Sequence, residues 1–414
     1  MKKKLLFSAY PGFIILLLMI ITQVFSGCQQ KANNVSNITI VAASKSNAYG
    51  KCSITVDTVS IQTDSIGLKF YPVYSVSREN DSLLFYGYNK KAHSVDLYSL
   101  TGSRFLKRMS LERAGPNGTR SIEAIYVCHR DSIFVFDGVN ILMFNSKCNI
   151  IKRWAVNPKN VRLQSFFSQY SIFTGAQPSC FFYNRKSNSV LVRCISTANS
   201  LYGKHPKKYF EMPFVANYDL TNNQMTLLPV AFPEEYVEKF YGFLEHPYIS
   251  YNFRSDTAAP EVVVTYPALP NIYLYDLTQN SEKIIKVSSD YSKSEGKSLS
   301  WSDVKNEDKK MKYMYETAQY LGTVSDSSSR YKFRLHFNEM TLTNKSDFKE
   351  NMENRAKILT VFDSDFNIVH EELLTLKEGI PQFSFCRDNE LYLSYYNKTT
   401  ENSLNFYRIA VNKK

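Results

Sequence analysis

Glycine supplies only 15 of the 414 residues and tryptophan 2, which excludes a collagen-like fibre. No Lys/Arg block longer than Lys2-Lys3-Lys4 occurs, so the formal charge of +12 is scattered and no nucleic-acid partner is expected. Cys-x-x-Cys is missing and the six histidines stand apart from the cysteines, which removes the usual zinc patterns. Gly-x-Ser-x-Gly and a phosphate-binding loop are missing too. So is His-Glu-x-x-His, because His370-Glu371-Glu372 lacks the second histidine. The expectation is a protein without metal or cofactor, acting by binding more than by catalysis. What the chain does have is 44% hydrophobic and 21% charged residues, the balance of a folded, mostly soluble protein. Its 29 Tyr and 28 Phe favour pleated, half-buried surfaces, since aromatics pack well across strands.

The first 28 residues divide into a basic end, Lys2 to Lys4, an apolar run, Phe13 to Ile21, and the small residues Ser26-Gly27 before Cys28. That is the anatomy of a secretory signal. Pro11-Gly12 and Thr22-Gln23 keep the run below the ~20 residues that a spanning helix needs. Phe25-Ser26-Gly27-Cys28 resembles the lipobox of bacterial lipoproteins, with Phe25 in place of the usual leucine. The resemblance implies cleavage before Cys28, acylation of its thiol and a membrane tether. Removing residues 1–27 leaves 387 residues and a charge of about +9. With Gln29-Gln30 next and no acidic residue from Gln29 to Asn34, the implied place is the periplasmic side of the outer membrane.

Six cysteines follow Cys28, in a compartment where disulfides can form. Cys180 and Cys194 lie at the ends of a stretch that reads as a hairpin turning about Ser187. Either a cross-strand bridge or two free buried thiols fits that reading.

From residue 54 onward, short β-branched or aromatic runs alternate with polar turns, and an aromatic-led strand–turn unit recurs. Its copies are led by Tyr98, Phe144, Tyr218, Tyr275, Phe362 and Tyr407. The spacings of 46, 74, 57, 87 and 45 residues fit blades of ~40 to 50 residues, with insertions in the longer three. A helix is expected over 233–242, from Pro233-Glu234-Glu235 to Gly242. A second is expected over 303–321, with Met311, Met314, Tyr315, Ala318 and Leu321 on one face and Gly322 as its stop. The predicted fold is an all-β, six-bladed β-propeller with short helical insertions. Paired β-sandwiches or another blade number are the alternatives. The predicted organisation is a signal peptide over 1–27, a flexible tether over 28–50 and a propeller over 51–414.

The lipobox, the Tyr-Asp-Leu-Thr units at 218 and 275, and Gly115-Pro116-Asn117-Gly118 resemble a family of bacterial lipoproteins, domain of unknown function 4221. The resemblance covers residues 50 to 410 approximately and implies a six-bladed, TolB-like propeller; it carries over no catalytic residue.

In a propeller the loops joining one blade's outer strand to the next blade's inner strand ring the channel mouth. The first such loop, Leu111 to Arg120, offers Arg113, Asn117 and Arg120 as ligand contacts. Later ones offer Asn160 and Arg162, Glu234 and Glu235, then Lys377 and Glu378. The expected partners are the membrane, through Cys28, and an envelope peptide, glycan or protein. Two competing readings remain: a glycan hydrolase or lyase at the mouth, and a docking protein with an aromatic patch over 233–242 or 303–321. His129 reads as a structural histidine, and Asp363 with Asp365 as turn formers.

Overall fold

Ser82-Leu-Leu-Phe-Tyr-Gly-Tyr-Asn89 is apolar at even and odd positions alike, the pattern of a strand buried on both faces. Most of the strands that follow repeat it, and the structure shows why. The computed structural model describes residues 35, 37–174, 181–203, 205–244, 246–252, 261–292, 298–326, 329–340, 354–376, 381–397 and 402–413. Two N-terminal strands, β1 (Asn37–Ala42) and β2 (Cys52–Gln62), precede the repeat. Blade one is β3 (Tyr74–Glu79), β4 (Ser82–Asn89), β5 (Ser94–Ser99) and β6 (Arg104–Ser110). Blade two is β7 (Ala124–His129), β8 (Ser132–Phe136), β9 (Asn140–Phe144) and β10 (Ile150–Ala155). In blade three the inner edge is split into β11 (Tyr170–Ile172) and β12 (Phe181–Asn184), both paired with β13 (Ser189–Ser196). Then come β14 (Val215–Asp219) and β15 (Gln224–Leu227). Blade four is β16 (Tyr248–Asn252), β17 (Glu261–Thr265), β18 (Ile272–Asp276) and β19 (Ser281–Lys286). Blade five is β20 (Gln319–Val324), β21 (Lys332–Phe337), β22 (Lys357–Phe362) and β23 (Ile368–Leu374). Blade six is β24 (Pro381–Arg387), β25 (Glu390–Tyr395), β26 (Ser403–Lys413) and, as its outer strand, β2.

The six sheets form a ring, and one apolar core fills each seam between neighbouring blades. Alternate residues of β4 serve different seams: Leu84, Tyr86 and Tyr88 pack toward blade two, Leu83 and Phe85 toward blade six. Side chains alternate across a sheet with period two, so a blade with cores on both sides favours apolar residues at both parities.

All six aromatic-led units occupy the same place. Tyr98, Phe144, Tyr218, Tyr275, Phe362 and Tyr407 lie on β5, β9, β14, β18, β22 and β26, the third strand of each blade. The residue after the aromatic closes the turn that follows. Asp219 Oδ1 accepts the Thr221 and Asn222 amides at 2.7 and 3.1 Å, and Asp276 Oδ1 those of Thr278 and Gln279 at 2.8 and 3.0 Å. Asp363 Oδ1 holds the Asp365 and Asn367 amides at 3.0 and 2.9 Å, so these carboxylates are turn formers. Each such turn then places one residue at positive φ: Asn223, Asn280 and Phe366 among them.

Blade six is closed by β2, whose Cys52 to Gln62 pair antiparallel with Lys413 back to Ser403. Within the span read as a tether, residues 37–42 form β1, which adds a parallel fifth strand to blade four beside β19. Between β1 and β2 the chain crosses blade five, where Ile368 N donates to Ser44 O and Ser46 N to Ile368 O, each at 2.9 Å. Residues 37–62 thus run as a strap across the outer edges of three blades.

The helices are short: α1 (Gln164–Phe167), α2 (Lys207–Phe210), α3 (Glu234–Glu238) and α4 (Glu307–Glu316). The helix expected over 233–242 is α3, which ends early because Lys239 turns extended and Phe240 bridges to Leu299. The helix expected over 303–321 is α4, capped by the Asn306 side chain, and it ends at Glu316. Ala318 follows it, and Leu321 and Gly322 belong to β20, so Gly322 is no helix stop. A Cβ at Gly322 would meet Tyr248 Cβ at 2.9 Å; the glycine lets blade five approach blade four. The buried face of α4 is Lys310, Tyr313 and Tyr315, while Met311 is exposed. Tyr236, Phe240 and Tyr313 sink into the seam of blades three and four, so the aromatic docking patch expected over these insertions is turned inward. No described helix is long and apolar enough to cross a membrane.

Candidate functional site

Blade three differs from the others in that its inner edge is described as two strands, one ending at Ile172 and one beginning at Phe181. Where the first of them ends, several chemically able side chains meet. Phe173 stays bound to the second strand through its amide, which donates to Arg193 O at 2.9 Å. Its ring lies 4.5 Å from the Arg193 guanidinium and 5.6 Å from the His246 ring. Arg193, 1% exposed on β13, donates from Nη2 to His246 Nδ1 at 3.2 Å, and among the described residues its Nε has no hydrogen-bond partner. His246 comes from the chain just before β16, the inner strand of blade four. On the other side, Thr174 donates its hydroxyl to Glu123 Oε2 at 3.1 Å, and Glu123 stands at the entry to β7, the inner strand of blade two. Gly138, at φ +84°, makes room for that carboxylate; a Cβ there would come within 2.7 Å of Glu123 Oε1.

The group runs Glu123, Thr174, Phe173, Arg193, His246 along the rim of blades two to four, with Glu123 and His246 at the entries to the inner strands β7 and β16. Desolvation and the Arg193 charge push the His246 imidazole down to about 4. It is therefore neutral at pH 7, and because Nδ1 accepts from arginine its proton resides on Nε2. Below the rim, Tyr126 and Phe182 meet edge to face at 4.9 Å and Phe182 packs on Tyr251 at 4.7 Å, joining the inner strands of the same three blades. The site is thus a rim with an aromatic floor, offering guanidinium and imidazole donors for an anionic or polar ligand and one carboxylate for a donor group.

The residues singled out from sequence lie elsewhere. Asn117 Oδ1 accepts from Ile150 N at 3.1 Å, so the Gly115–Gly118 turn rests on the outer strand of blade two. Arg153 reinforces it by donating to Pro116 O and Gly118 O. Arg162 donates to Asn222 O at 2.9 Å, in the outer turn of blade three, and Asn160 caps the turn at Val161–Leu163. Arg113 and Arg120 are exposed. Glu234 and Glu235 form the first turn of α3, and His129 accepts the Asp131 amide in its own turn. The hairpin read at 179–194 exists as β12 and β13, but the register sets Cys194 opposite Ile172 and Phe181 opposite Val192. Cys194 is a buried free thiol, pushed up by desolvation. Cys28, Cys180, Lys377 and Glu378 lie outside the described residues. Among the described residues no group of three or more His, Cys, Asp or Glu could hold a metal ion.

Sequence reasoning missed Glu123, Phe173, Arg193 and His246. For Arg193 a signal was present: a cation inside Ser189-Val-Leu-Val-Arg-Cys194, where both parities are otherwise apolar. For the other three none was, since they meet only through the ring.

No curated protein matches the chain. Among solved structures it is similar to a member of the same unknown-function family from Bacteroides vulgatus, with a TM-score of 0.68 and 16% identity over 88% of this chain and 99% of that one. It is also similar to an exported-protein candidate from Bacteroides fragilis, with a TM-score of 0.53 and 11% identity over 91% of this chain and 100% of that one. These likenesses show the fold. The model of the family described as domain of unknown function DUF4221 matches residues 50–373, from the closing strand β2 to within β23, and the chain belongs to that family.

Proposed function

We propose that the protein is a lipid-anchored envelope propeller, tethered through Cys28 on the periplasmic side of the outer membrane, that binds a peptide, glycan or protein partner at the rim over blades two to four. The observation that carries the reading is Arg193, whose buried guanidinium has an Nε without a partner among the described residues, beside His246 and the Phe173 face. An unsatisfied buried donor costs about 1–3 kcal/mol, and a ligand oxygen would recover it. A carboxylate-bearing peptide end or acidic sugar suits this donor set, with the aromatic ring supplying an apolar wall. The signal-like N-terminus supports export, and the fold is shared with the exported-protein candidate named above.

A glycan-acting hydrolase asks for a second carboxylate or a histidine bonded to one. Among the described residues His246 bonds a guanidinium and Glu123 a threonine hydroxyl, which favours binding over catalysis. The test is capture of acidic oligosaccharides and free-ended peptides by the acylated protein and by His246→Ala and Arg193→Lys variants. Capture should weaken about tenfold in both, with Arg113→Ala/Arg120→Ala unchanged. Equal capture by all variants removes the rim from the binding site. Mass analysis of the mature N-terminus reads the anchor separately, through a Cys28 bearing acyl chains.

A further inference from the structure

The strap creates a second feature, away from the rim. Where residues 44–52 cross from blade five to blade six they enclose a cleft of about 600 Å³ with Lys45, Lys51, Arg330 and Lys413 in its lining. These cations come from three distant parts of the chain: the strap, the turn before β21 and the end of β26. Lys45 pairs with Asp290 at 2.8 Å. Lys51, Arg330 and Lys413 have no carboxylate partner among the described residues, and all three are exposed. The acid in the lining, Asp363, is committed to the turn amides of Asp365 and Asn367.

The backbone that carries the cations is held on each side. Ser44 Oγ donates to Asn367 Oδ1 at 2.7 Å, Ser46 and Ser44 bracket Ile368, and Cys52 is in register with Lys413. Three like charges fixed around one space repel one another, and a shared anion relieves that repulsion. Two lysine ammonium groups act as point charges that suit a tetrahedral phosphate group, with Arg330 able to fork onto two of its oxygens. The volume lies in the range of small-ligand sites.

We propose that this cleft binds a phosphate-bearing ligand. The phosphate can belong to a soluble phosphorylated molecule or to the headgroup of an anionic lipid; only the lipid source rests on the anchoring reading above.

The test uses the chain from residue 28 with Cys28→Ser, which carries no acyl group and retains residues 35–414, a structural unit of their own. One arm titrates it with inorganic pyrophosphate by calorimetry. The other sediments it with phosphatidylcholine vesicles, with and without phosphatidylglycerol. Binding to either anionic probe is expected, about tenfold weaker in Lys51→Gln or Arg330→Gln. It should be lost in Lys51→Gln/Arg330→Gln/Lys413→Gln and kept in Lys239→Gln, with the melting curves of all variants superimposable. Pyrophosphate binding points to the soluble source and phosphatidylglycerol dependence to the lipid one. Binding by the triple variant equal to the parent, or no binding of either probe by the parent, overturns the proposal. Acylation of Cys28 is read independently, so failure of the anchor and failure of the cleft are told apart.

Discussion

Single residues inside the seams set the acid behaviour of this protein. On β21 the chain reads Lys332-Phe-Arg-Leu-His-Phe337, which turns Phe333 and Leu335 toward blade six and Lys332, Arg334 and His336 toward blade four. All three basic side chains are buried, and Arg334 lies 5.0 Å from the Tyr320 ring. His336 is fully buried, stacks on Tyr320 at 5.1 Å, and reaches Ser292 Oγ at 3.3 Å and Ser289 Oγ at 3.4 Å. Desolvation, then the Arg334 charge, push its imidazole down to about 3. An unfolded histidine takes up a proton near pH 6.5. The native state resists that proton until far lower pH, so stability is unaffected above about 6.5 and falls as pH drops toward 3. His336→Gln should remove up to about 1.4 kcal/mol per pH unit of that slope. Urea unfolding at pH 8, 6 and 4.5 measures it, and parallel slopes in parent and variant would contradict the assignment.

Among elements, the hairpin joining the third and fourth strands is the unit that repeats, and its carboxylate is the part that can be tested. In Asp219, partial burial pushes the pKa up, but the Asn222 and Thr221 amides outweigh it and hold the carboxyl below its usual range. Asp219→Ala, Asp276→Ala and Asp363→Ala should each cost about 1 kcal/mol, because each leaves two turn amides without their acceptor. The three sit on different blades, so the triple variant should lose the sum within about 0.5 kcal/mol. Denaturant midpoints decide it; a triple loss well above the sum would show that the turns communicate. The helix ends follow another rule. Arg355, 2% exposed, donates to the carbonyls of Met314 and Asn338 and to that of Thr317, so a buried cation closes the C-terminal end of α4 where no glycine does.

For the whole molecule, the ring is closed by its first strands. A chain beginning at residue 51 loses β1 and the crossing over blade five but keeps β2 on blade six. It should melt cooperatively, a few degrees below the parent. A chain beginning at residue 64 also loses β2, exposing Leu404, Phe406 and Ile409 and leaving β26 as an open edge. It should fail to melt as one transition and should aggregate. Circular dichroism melting with light scattering separates these outcomes, and equal behaviour of the two truncations would show that β2 is not the closure.

Blade number and the place of the aromatic-led hairpins follow from the sequence alone, because each copy carries its own turn chemistry and each strand its own period-two pattern. The start of α3 was legible, because Pro233 and the acidic first turn act locally; α4 begins at Glu307 behind the Asn306 cap and not at 303, and both helix ends are decided by contacts such as Phe240 with Leu299. The rim site was not legible: Arg193 and His246 lie 53 residues apart and Glu123 farther still, and only closure of the ring brings them to one edge. Nor was the strap, since nothing in Asn37 to Ala42 states that its partner is Ser281 to Lys286. Local chemistry is written where it acts, whereas a site assembled across blades depends on the twist and register that carry distant loops together.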